Sequence, residues 1–210
     1  MSPVRQPRSI SSLALLPVLG LVVFFLGCVP DRRHPEADDD DDGGSGSSDD
    51  DDAASDPDVP DTEFCDPVSG WPADWADKEW VVLELTNQLR AAGATCGGEV
   101  YPPVPPLVME EHLRCSSRLH SVDMVERNFL DHTNPDGDGP GERMSAAGYN
   151  WMGFGENIGW GYLEPEEMVQ GWIDSPPHCS NLMTDWFTEL GVGYYEGDGQ
   201  VTWTQNFGSR

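Results

Sequence analysis

A block of acidic and small residues near the N-terminus most limits what this sequence can fold into. Residues 38–42 and 49–52 are all aspartate, and glycine and serine fill the gap between them. Low hydrophobicity and runs of like charge bury too little apolar surface to offset the entropy lost on ordering. We therefore expect residues 29–63 to be a disordered acidic tether and residues 64–210 to hold the folded domain. A more specific alternative is that the aspartate runs bind calcium, but such runs are usually only solvated.

The first 28 residues have the pattern of an export signal. Residues 1–8 are basic, residues 10–26 are mostly apolar, and Gly27-Cys28 ends the run. This order is typical of a secretory signal peptide, and the cysteine after glycine resembles the lipobox of bacterial lipoproteins, whose cysteine is lipidated. We predict that lipid on Cys28 anchors the protein in the bacterial cell envelope, at the outer membrane or cell surface or on the periplasmic side. An ordinary signal peptide or a single membrane anchor is the alternative, although a spanning helix needs roughly 20 apolar residues.

The net charge excludes two classes of partner. The sequence holds 11 Lys and Arg against 38 Asp and Glu, a formal net charge of -27. A protein that binds nucleic acid by neutralising phosphates needs the opposite balance, and so does a polybasic membrane-surface binder. We therefore expect no nucleic-acid partner.

The length of the chain, 210 residues, suggests one domain with appendages. We expect the protein to be monomeric.

Four cysteines follow Cys28 and predict two disulfides. They are Cys65, Cys96, Cys115 and Cys179. An even number of cysteines in an exported chain is typical of disulfide bonding. Three pairings are possible; nearness in sequence favours Cys96–Cys115, which leaves Cys65 to pair with Cys179. A zinc site is the rival interpretation, but no two cysteines have the C-x-x-C spacing of such sites.

Apolar periodicity predicts helices followed by an antiparallel hairpin. The predicted helices are 77–92, 109–128, 142–147 and 165–174, and the predicted strands are 153–161, 189–195 and 201–207. In the first helix Val81, Leu85 and Leu89 recur every four residues and should face the core. Helices first and an antiparallel pair last indicate an α+β fold in which helices cover the sheet.

Three polar loops contain the residues suited to chemistry. Residues 129–137 read F-L-D-H-T-N-P-D-G, residues 155–158 read G-E-N-I, and residues 171–182 read G-W-I-D-S-P-P-H-C-S-N-L. The segments A-G-Y, F-T-E-L-G-V-G and W-T-Q-N-F-G stand among and after them. Each motif alone is weak evidence, but their combination and order resemble the bacterial branch of the CAP superfamily, which contains cysteine-rich secretory proteins, antigen five and pathogenesis-related proteins. The resemblance covers nearly the whole predicted folded domain.

The resemblance to that superfamily implies a three-layer α-β-α sandwich with a C-terminal antiparallel β-hairpin. The family's cleft is lined by two histidines and two glutamates, and the matching positions in this sequence are His132, Glu156 and His178. The second glutamate would fall near Asp174 or Ser175, where no glutamate stands. The tetrad implied by the resemblance is therefore incomplete. We assign three further residues to the lining of the ligand cleft: Asp174, Ser175 and Asn157.

Two imidazoles and one carboxylate beside a solvent-filled cleft predict a divalent-metal site. Zinc accepts nitrogen and oxygen ligands and would keep a water molecule, so we predict metal binding by His132, Glu156 and His178, with Asp174 as a further oxygen donor. In the simpler alternative, the two histidines only hydrogen-bond across the cleft. If catalysis occurs, the same three residues would carry it, because a bound metal lowers the pKa of water to ~7. No G-x-S-x-G, H-E-x-x-H or P-loop motif is present, so enzymatic activity is not favoured.

Three functions are compatible with these residues. The first is an envelope-tethered binding module whose cleft holds a divalent metal and a lipid or peptide ligand. The second is a metal- or Glu/His-assisted hydrolase of peptide or ester bonds, and the third is a structural or interaction protein with a vestigial cleft. Two other features have simpler interpretations. His120 is expected to be a core histidine whose hydrogen bonds are satisfied. The N-P-D-G-D-G segment at residues 134–139 lacks the glutamate that ends an EF-hand loop.

Overall fold

The computed structural model describes residues 58–210. The predicted signal peptide, Cys28 and most of the acidic tether lie outside the described residues. The helices are α1 (Ala73–Ala92), α2 (Glu111–Glu126), α3 (Pro140–Ala146), α4 (Pro165–Asp174) and α5 (Pro176–Met183). The strands are β1 (Ala94–Cys96), β2 (Glu99–Tyr101), β3 (Val108–Met109), β4 (Gly153–Trp160), β5 (Glu189–Gly197) and β6 (Gln200–Ser209). Within this part of the chain, no helix combines the length and apolar character needed to cross a membrane.

These elements confirm the predicted α+β class and add four that the periodicity did not predict. Helix α5 occupies a segment expected to be a loop, strands β1 and β2 form a hairpin after α1, and β3 is only two residues long. Helix α5 begins directly after Ser175, with prolines at its first two positions. The fixed backbone angle of proline suits the first turn of a helix, so this start is consistent with the sequence.

The central sheet has the strand order β3-β5-β6-β4. Strands β5 and β6 form the predicted antiparallel hairpin, and β4 pairs antiparallel with β6. Strand β3 pairs parallel with the first residues of β5. The hairpin turn is tight because Asp198 and Gly199 both take positive φ, 52° and 72°, as a two-residue type I′ turn requires. The two strands that come last in the described chain therefore form the middle of the sheet.

Alternation along β5 separates two layers of helices. Leu190, Val192 and Tyr194 belong to the main core, which also contains buried residues of α1, α4 and α5. The intervening Gly191 and Gly193 face α2. Successive strand residues point to opposite faces, so this sequence places bulky side chains under three helices and leaves a flat surface for α2. The result is the three-layer α-β-α arrangement that the motifs implied.

The two glycines let α2 lie directly on the backbone of β5. A Cβ atom on either glycine would overlap backbone atoms of α2. Serines of α2 complete the contact, because Ser117 Oγ donates to Gly191 O at 3.1 Å and Ser121 Oγ donates to Gly193 O at 3.0 Å. The close approach of helix and sheet therefore depends on small residues on both sides.

Helix α1 buries a different face from the one that its apolar residues predict. Val81, Leu85 and Leu89 are only partly buried, although Leu85 and Leu89 still contact the core. The buried residues of α1 are Glu79, Val82, Leu83, Thr86 and Arg90. The predicted inward face is wrong because two charged residues find partners that only the tertiary structure supplies. Arg90 donates to the backbone oxygens of four residues: Pro105, Leu182, Thr184 and Phe187.

Glu79 is the centre of a buried ion cluster between α1 and α2. Its carboxylate accepts from Arg114 Nε at 2.8 Å and from Arg118 Nη2 at 2.9 Å, and all three side chains have 0% exposure. It also accepts from Trp71 Nε1 at 2.9 Å and from the backbone N–H of Tyr194 at 3.2 Å. Burial raises the pKa of Glu79, and the Arg118 and Arg114 guanidiniums oppose that rise. The hydrogen bond from Tyr194 satisfies one backbone N–H of β5 beyond the short pairing of that strand with β3.

Two disulfides are present, but the pairing favoured by nearness in sequence is wrong. Cys65 is bonded to Cys115 and Cys96 to Cys179, with Cα–Cα distances of 5.8 Å and 5.5 Å. The first bond ties a 3-10 helix (Asp66–Val68) to α2, and the second ties β1 to α5. Sequence separation misleads because tertiary packing, which brings the 3-10 helix onto α2 and β1 onto α5, decides which sulfur atoms meet.

The packed part of the chain begins upstream of residue 64. Val59 is 6% exposed and lies in a cluster with Cys65 and Val68. Asp58 Oδ2 lies 2.6 Å from Arg114 Nη1. Residues 58–63 therefore belong with the folded domain and not with the predicted tether.

Candidate functional site

A strand and a loop bring His132 and Glu156 together. Strand β4 carries Glu156, and the loop after α2 carries His132, whose Nδ1 lies 2.8 Å from Glu156 Oε1. The Glu156 side chain is 2% exposed and the His132 side chain is 49% exposed, so the pair runs from the interior to the surface. Since Glu156 occupies Nδ1, Nε2 is the ring nitrogen left for a ligand.

Arg143 holds both members of this pair. This residue of α3 donates from Nη2 to Glu156 Oε2 at 2.7 Å. Its Nη1 donates to the backbone oxygens of His132 and Asp138, both at 2.8 Å. One guanidinium therefore fixes the carboxylate and also the loop that carries the histidine. Sequence analysis did not identify Arg143 as a site residue. The only feature of the sequence that could have pointed to it is its position in the short helix that follows the loop.

His120 is a core histidine, as predicted, but only one of its two ring nitrogens has a hydrogen-bond partner within residues 58–210. It lies beside Glu156. Its side chain has 0% exposure, and its Nε2 is 4.0 Å from Glu156 Oε1 and 3.0 Å from the backbone oxygen of Asp131. Burial lowers the pKa of His120 to about 4, so the ring is neutral at physiological pH and donates from Nε2 to Asp131. Its Nδ1 has no hydrogen-bond partner among residues 58–210. His120 therefore anchors the start of the loop that carries His132.

His178 joins the site from α5. Its backbone oxygen accepts from Asn157 Nδ2 at 3.2 Å, and Asn157 Oδ1 accepts from Asn181 Nδ2 at 2.9 Å. Partial burial lowers the pKa of His178, and the nearby His132 lowers it further. The two imidazoles therefore lie within electrostatic range of each other. No hydrogen bond joins the two rings in the described part of the chain. His132 instead bonds to Glu156, and His178 contacts Asn157 through its backbone oxygen.

The three other residues assigned to the cleft have different roles. Asn157 has 0% exposure, because it follows Glu156 on β4 and so points to the opposite face of the sheet. There it connects β4 to α5. Asp174 is exposed at the end of α4 and accepts from Gln170 Nε2 at 2.8 Å. Ser175 is the residue before α5, and its side chain makes no capping hydrogen bond.

The predicted metal ligands do not form a preassembled three-residue centre. Among residues 58–210, no group of three or more His, Cys, Asp or Glu side chains is arranged to hold a metal ion. The physical reason is that both oxygens of Glu156 are engaged, one by His132 and the other by Arg143. Glu156 instead takes the position of an outer carboxylate that orients a histidine. His132 and His178 remain as nitrogen donors.

Comparison with known protein families identifies the domain. The sequence model of the cysteine-rich secretory protein (CAP) family matches residues 83–207, more than half of the chain. The chain belongs to the CAP family. The matched segment of this CAP protein contains His132, Arg143, Glu156 and His178. It also contains α2 and all of the central sheet except the last two residues of β6.

Curated relatives share this domain but are longer. The CAP protein is 37% identical to YkwD of Bacillus subtilis over 126 residues, which cover 60% of this chain and 45% of YkwD. It is 27% identical to the membrane protein YlbC of the same species over 132 residues, which cover 63% of this chain and 37% of YlbC. The chain therefore spans less than half the length of these relatives.

Solved structures confirm the fold. An extracellular protein containing an SCP domain from Bacillus anthracis aligns with a TM-score of 0.57 and 27% identity, over 64% of this chain and 41% of that one. An outer surface protein of Borrelia burgdorferi aligns with a TM-score of 0.56 and 18% identity, over 64% of this chain and 93% of that one. The second likeness shows the fold alone. The CAP-type α-β-α sandwich that the motifs implied is the observed one.

The two histidines should titrate on opposite sides of their usual pKa of 6.5. The hydrogen bond that His132 donates to Glu156 raises the pKa of His132, and burial lowers the pKa of His178. In an NMR titration of the ring protons, we expect His132 to titrate above 6.5, His178 to titrate below it, and Glu156→Gln to lower the pKa of His132. Exposed Glu84 supplies the control, Glu84→Gln. A lower pKa for His132 than for His178 would contradict this geometry.

The same shift sets the sign of a pH effect on stability. The pKa of His132 is higher in the folded state than in the unfolded state. Protonated His132 therefore stabilises the fold fully below its unfolded pKa, and this contribution is lost as the pH rises through the folded pKa. Because the ring is half-exposed, solvent weakens the effect.

Proposed function

We propose that this CAP protein is an extracytoplasmic binding module, tethered to the bacterial envelope through Cys28, whose His132 and His178 bind a divalent metal such as zinc beside a lipid or peptide ligand. The His132–Glu156 pair carries the proposal. A buried carboxylate holds Nδ1 of a half-exposed ring and leaves Nε2 for a ligand, and carboxylates commonly orient metal-binding histidines in this way. A zinc ion held there would act as a Lewis acid toward an oxygen of the ligand.

Exposed aromatic residues near the pair support an apolar ligand. Phe154 lies two residues before Glu156 on β4 and therefore on the same face. Its ring packs edge-on against Trp151 at a centroid distance of 4.7 Å. Phe154, Trp151 and Met152 are 37%, 40% and 77% exposed. Contiguous exposed apolar side chains often mark a binding surface, and this one adjoins the residue that orients His132.

The contacts of Glu156 favour binding over hydrolysis. A general base must be available to take a proton from the reacting group. Both oxygens of Glu156 are already engaged, by Arg143 and by His132. The cysteines of the described residues are all in disulfides, so this part of the chain offers no thiol nucleophile. These contacts suit a site that holds a ligand better than one that transforms it.

Three observations support an extracytoplasmic location. The first 28 residues have the pattern of a signal peptide, the domain contains two disulfides, and disulfides persist mainly in oxidising compartments. The related protein of Bacillus anthracis is an extracellular one. Lipid attachment at Cys28 rests on the sequence pattern, because that residue lies outside the described part of the chain.

Zinc titration of the full chain tests the metal site. We expect calorimetry to show saturable zinc binding that His132→Ala or His178→Ala weakens at least tenfold, about 1.4 kcal/mol in binding free energy. Glu156→Gln should weaken zinc binding by about 10- to 100-fold, because loss of an orienting carboxylate typically has that effect.

His112→Ala is the matched control for this titration. This partly buried histidine of α2 pairs with Glu110 at 2.8 Å and takes no part in the site. Every variant keeps the aspartate runs of the tether, so any zinc bound by those runs is the same in all titrations. Equal zinc affinity of the wild-type protein and the double variant His132→Ala/His178→Ala would exclude the proposed metal site.

A further inference from the structure

A second concave site lies between α2, α3 and the 3-10 helix. Its volume is about 510 Å³, within the range of ~300–1,000 Å³ that small-molecule sites occupy. His132, Glu156 and His178 do not line it. We call it the acidic cavity. It shares only Arg143 with the proposed metal site.

The floor of the acidic cavity is apolar and covalently fixed. Its members are Phe64, Pro67, Leu119, Val122 and Ala146. The first two lie beside Cys65, whereas Leu119 and Val122 follow Cys115 by four and seven residues and so share its face of α2. The disulfide between Cys65 and Cys115 clamps these two parts of the floor together. A preformed floor lowers the entropy cost of binding a ligand.

The rim of the acidic cavity has an excess of negative charge. It contains two guanidiniums and five carboxylates, those of Asp123, Glu126, Asp136, Asp138 and Glu142. Arg127 is already paired with Asp123 and Asp136. Arg143 is paired with Glu156, which lies outside the cavity. The basic side chains of the rim therefore do not offset the charges of Glu126, Asp138 and Glu142.

We propose that the acidic cavity binds a small organic cation, a protonated or quaternary amine carried on an apolar body. The apolar body matches the floor, and the ammonium group matches the rim. Phe64 is 39% exposed, and an aromatic face attracts an ammonium group within about 6 Å of its centroid. A bare metal ion fits less well, because no three carboxylates within residues 58–210 are arranged to hold one. An anionic ligand would be repelled by the rim.

Three probes with one apolar body test this proposal by NMR. We expect 4-phenylbutylammonium, added to the ¹⁵N-labelled full chain, to shift the backbone amides of Leu119, Val122 and Ala146 in a saturable way. The neutral 4-phenylbutanol should bind at least tenfold more weakly, and 5-phenylpentanoate, the carboxylate with the same phenylbutyl group, should not bind measurably. Equal affinities for the amine and the alcohol would overturn the proposal, as would shifts confined to the aspartate runs of the tether.

Two double variants, each of which removes two negative charges, show whether the amine binds at the acidic cavity. Glu126→Gln/Glu142→Gln removes two rim charges but keeps an oxygen acceptor at each position, and it should weaken binding of the amine at least fivefold. Glu84→Gln/Glu167→Gln removes two exposed charges from α1 and α4 and should leave binding unchanged. If both pairs weaken binding equally, the amine responds only to the net charge of the protein, and the proposed site is wrong.

Discussion

Glu79→Ala will lower the free energy of unfolding by about 3–5 kcal/mol, the usual effect of removing one partner from a buried ion pair. Two fully buried guanidiniums, those of Arg114 and Arg118, converge on the Glu79 carboxylate. Their positive charges remain in the interior when it is lost. Small domains are stable by only about 5–15 kcal/mol, so this substitution removes a large share of the total. Urea unfolding followed by tryptophan fluorescence measures the change.

Further substitutions separate the effect of charge from that of packing. Glu79→Gln keeps the shape of the side chain and one acceptor, so any large loss of stability must come from the charge. The triple variant Glu79→Leu/Arg114→Met/Arg118→Leu should recover part of the stability, because apolar groups often replace buried ions without loss. The recovery stays incomplete because Trp71 and the backbone N–H of Tyr194 still lose their acceptor. Glu84→Gln, at an exposed position of the same helix, should stay within about 0.5 kcal/mol of wild type. If Glu79→Ala unfolded at the same urea concentration as Glu84→Gln, the cluster would have no part in joining α1 to α2.

Gly193→Ala will have a comparable effect, with an expected loss of about 3 kcal/mol or more, at the upper end for overpacked sites. A Cβ atom at residue 193 would overlap the backbone nitrogen of Arg118, and one at residue 191 would overlap the backbone carbon of Leu113. Helix backbone cannot move aside as a flexible side chain can, so α2 must lift from the sheet. That movement would also lengthen the hydrogen bond from Ser121 to Gly193. We expect Gly191→Ala/Gly193→Ala to prevent folding.

Gly70→Ala is the control for this experiment. Nothing lies within 4 Å of a Cβ atom built at Gly70, and its φ is not positive. Replacing glycine by alanine at a compatible site stabilises a protein by about 0.4–1 kcal/mol, through the entropy of the unfolded chain. The two substitutions should therefore move the urea midpoint in opposite directions. A Gly193→Ala protein as stable as the Gly70→Ala protein would show that α2 does not depend on the flat surface of β5.

The elements with strong local signals could be predicted from the sequence. Helix α4 has the predicted bounds, because Pro165 sets its start and Met168, Val169 and Trp172 form a regular buried face. The β5–β6 hairpin was predictable from alternation and from its turn residues. Strand β3 was not, because it consists of two residues and depends on a parallel partner about eighty positions later in the chain. The buried face of α1 was not predictable either, since Glu79 looks like a surface residue until its partners are in place.

The candidate site likewise has residues that the sequence could predict and contacts that it could not. Motif order identified His132, Glu156 and His178, but it gave no role to Arg143, whose contacts depend on how α3 folds back onto the loop. It also grouped Asn157 with the cleft residues, although consecutive strand residues point to opposite faces. Period-two alternation on β4 was the signal that would have separated Asn157 from Glu156. No pattern in the sequence predicts that both oxygens of Glu156 are hydrogen-bonded, because these contacts arise only in the tertiary structure.

The strand order has a consequence for how the chain is made. A polypeptide emerges N-terminus first, yet β5 and β6, which occupy the middle of the sheet, follow every other element of the described chain. Until they emerge, β3 and β4 have no strand to pair with, and the apolar faces of α1 and α4 have no core to join. The four cysteines of the disulfides all precede β5, so thiols can meet oxidant before the surroundings that select their partners exist. Correct folding of this domain should therefore depend on disulfide exchange after β5 and β6 have emerged, because these two strands complete the core.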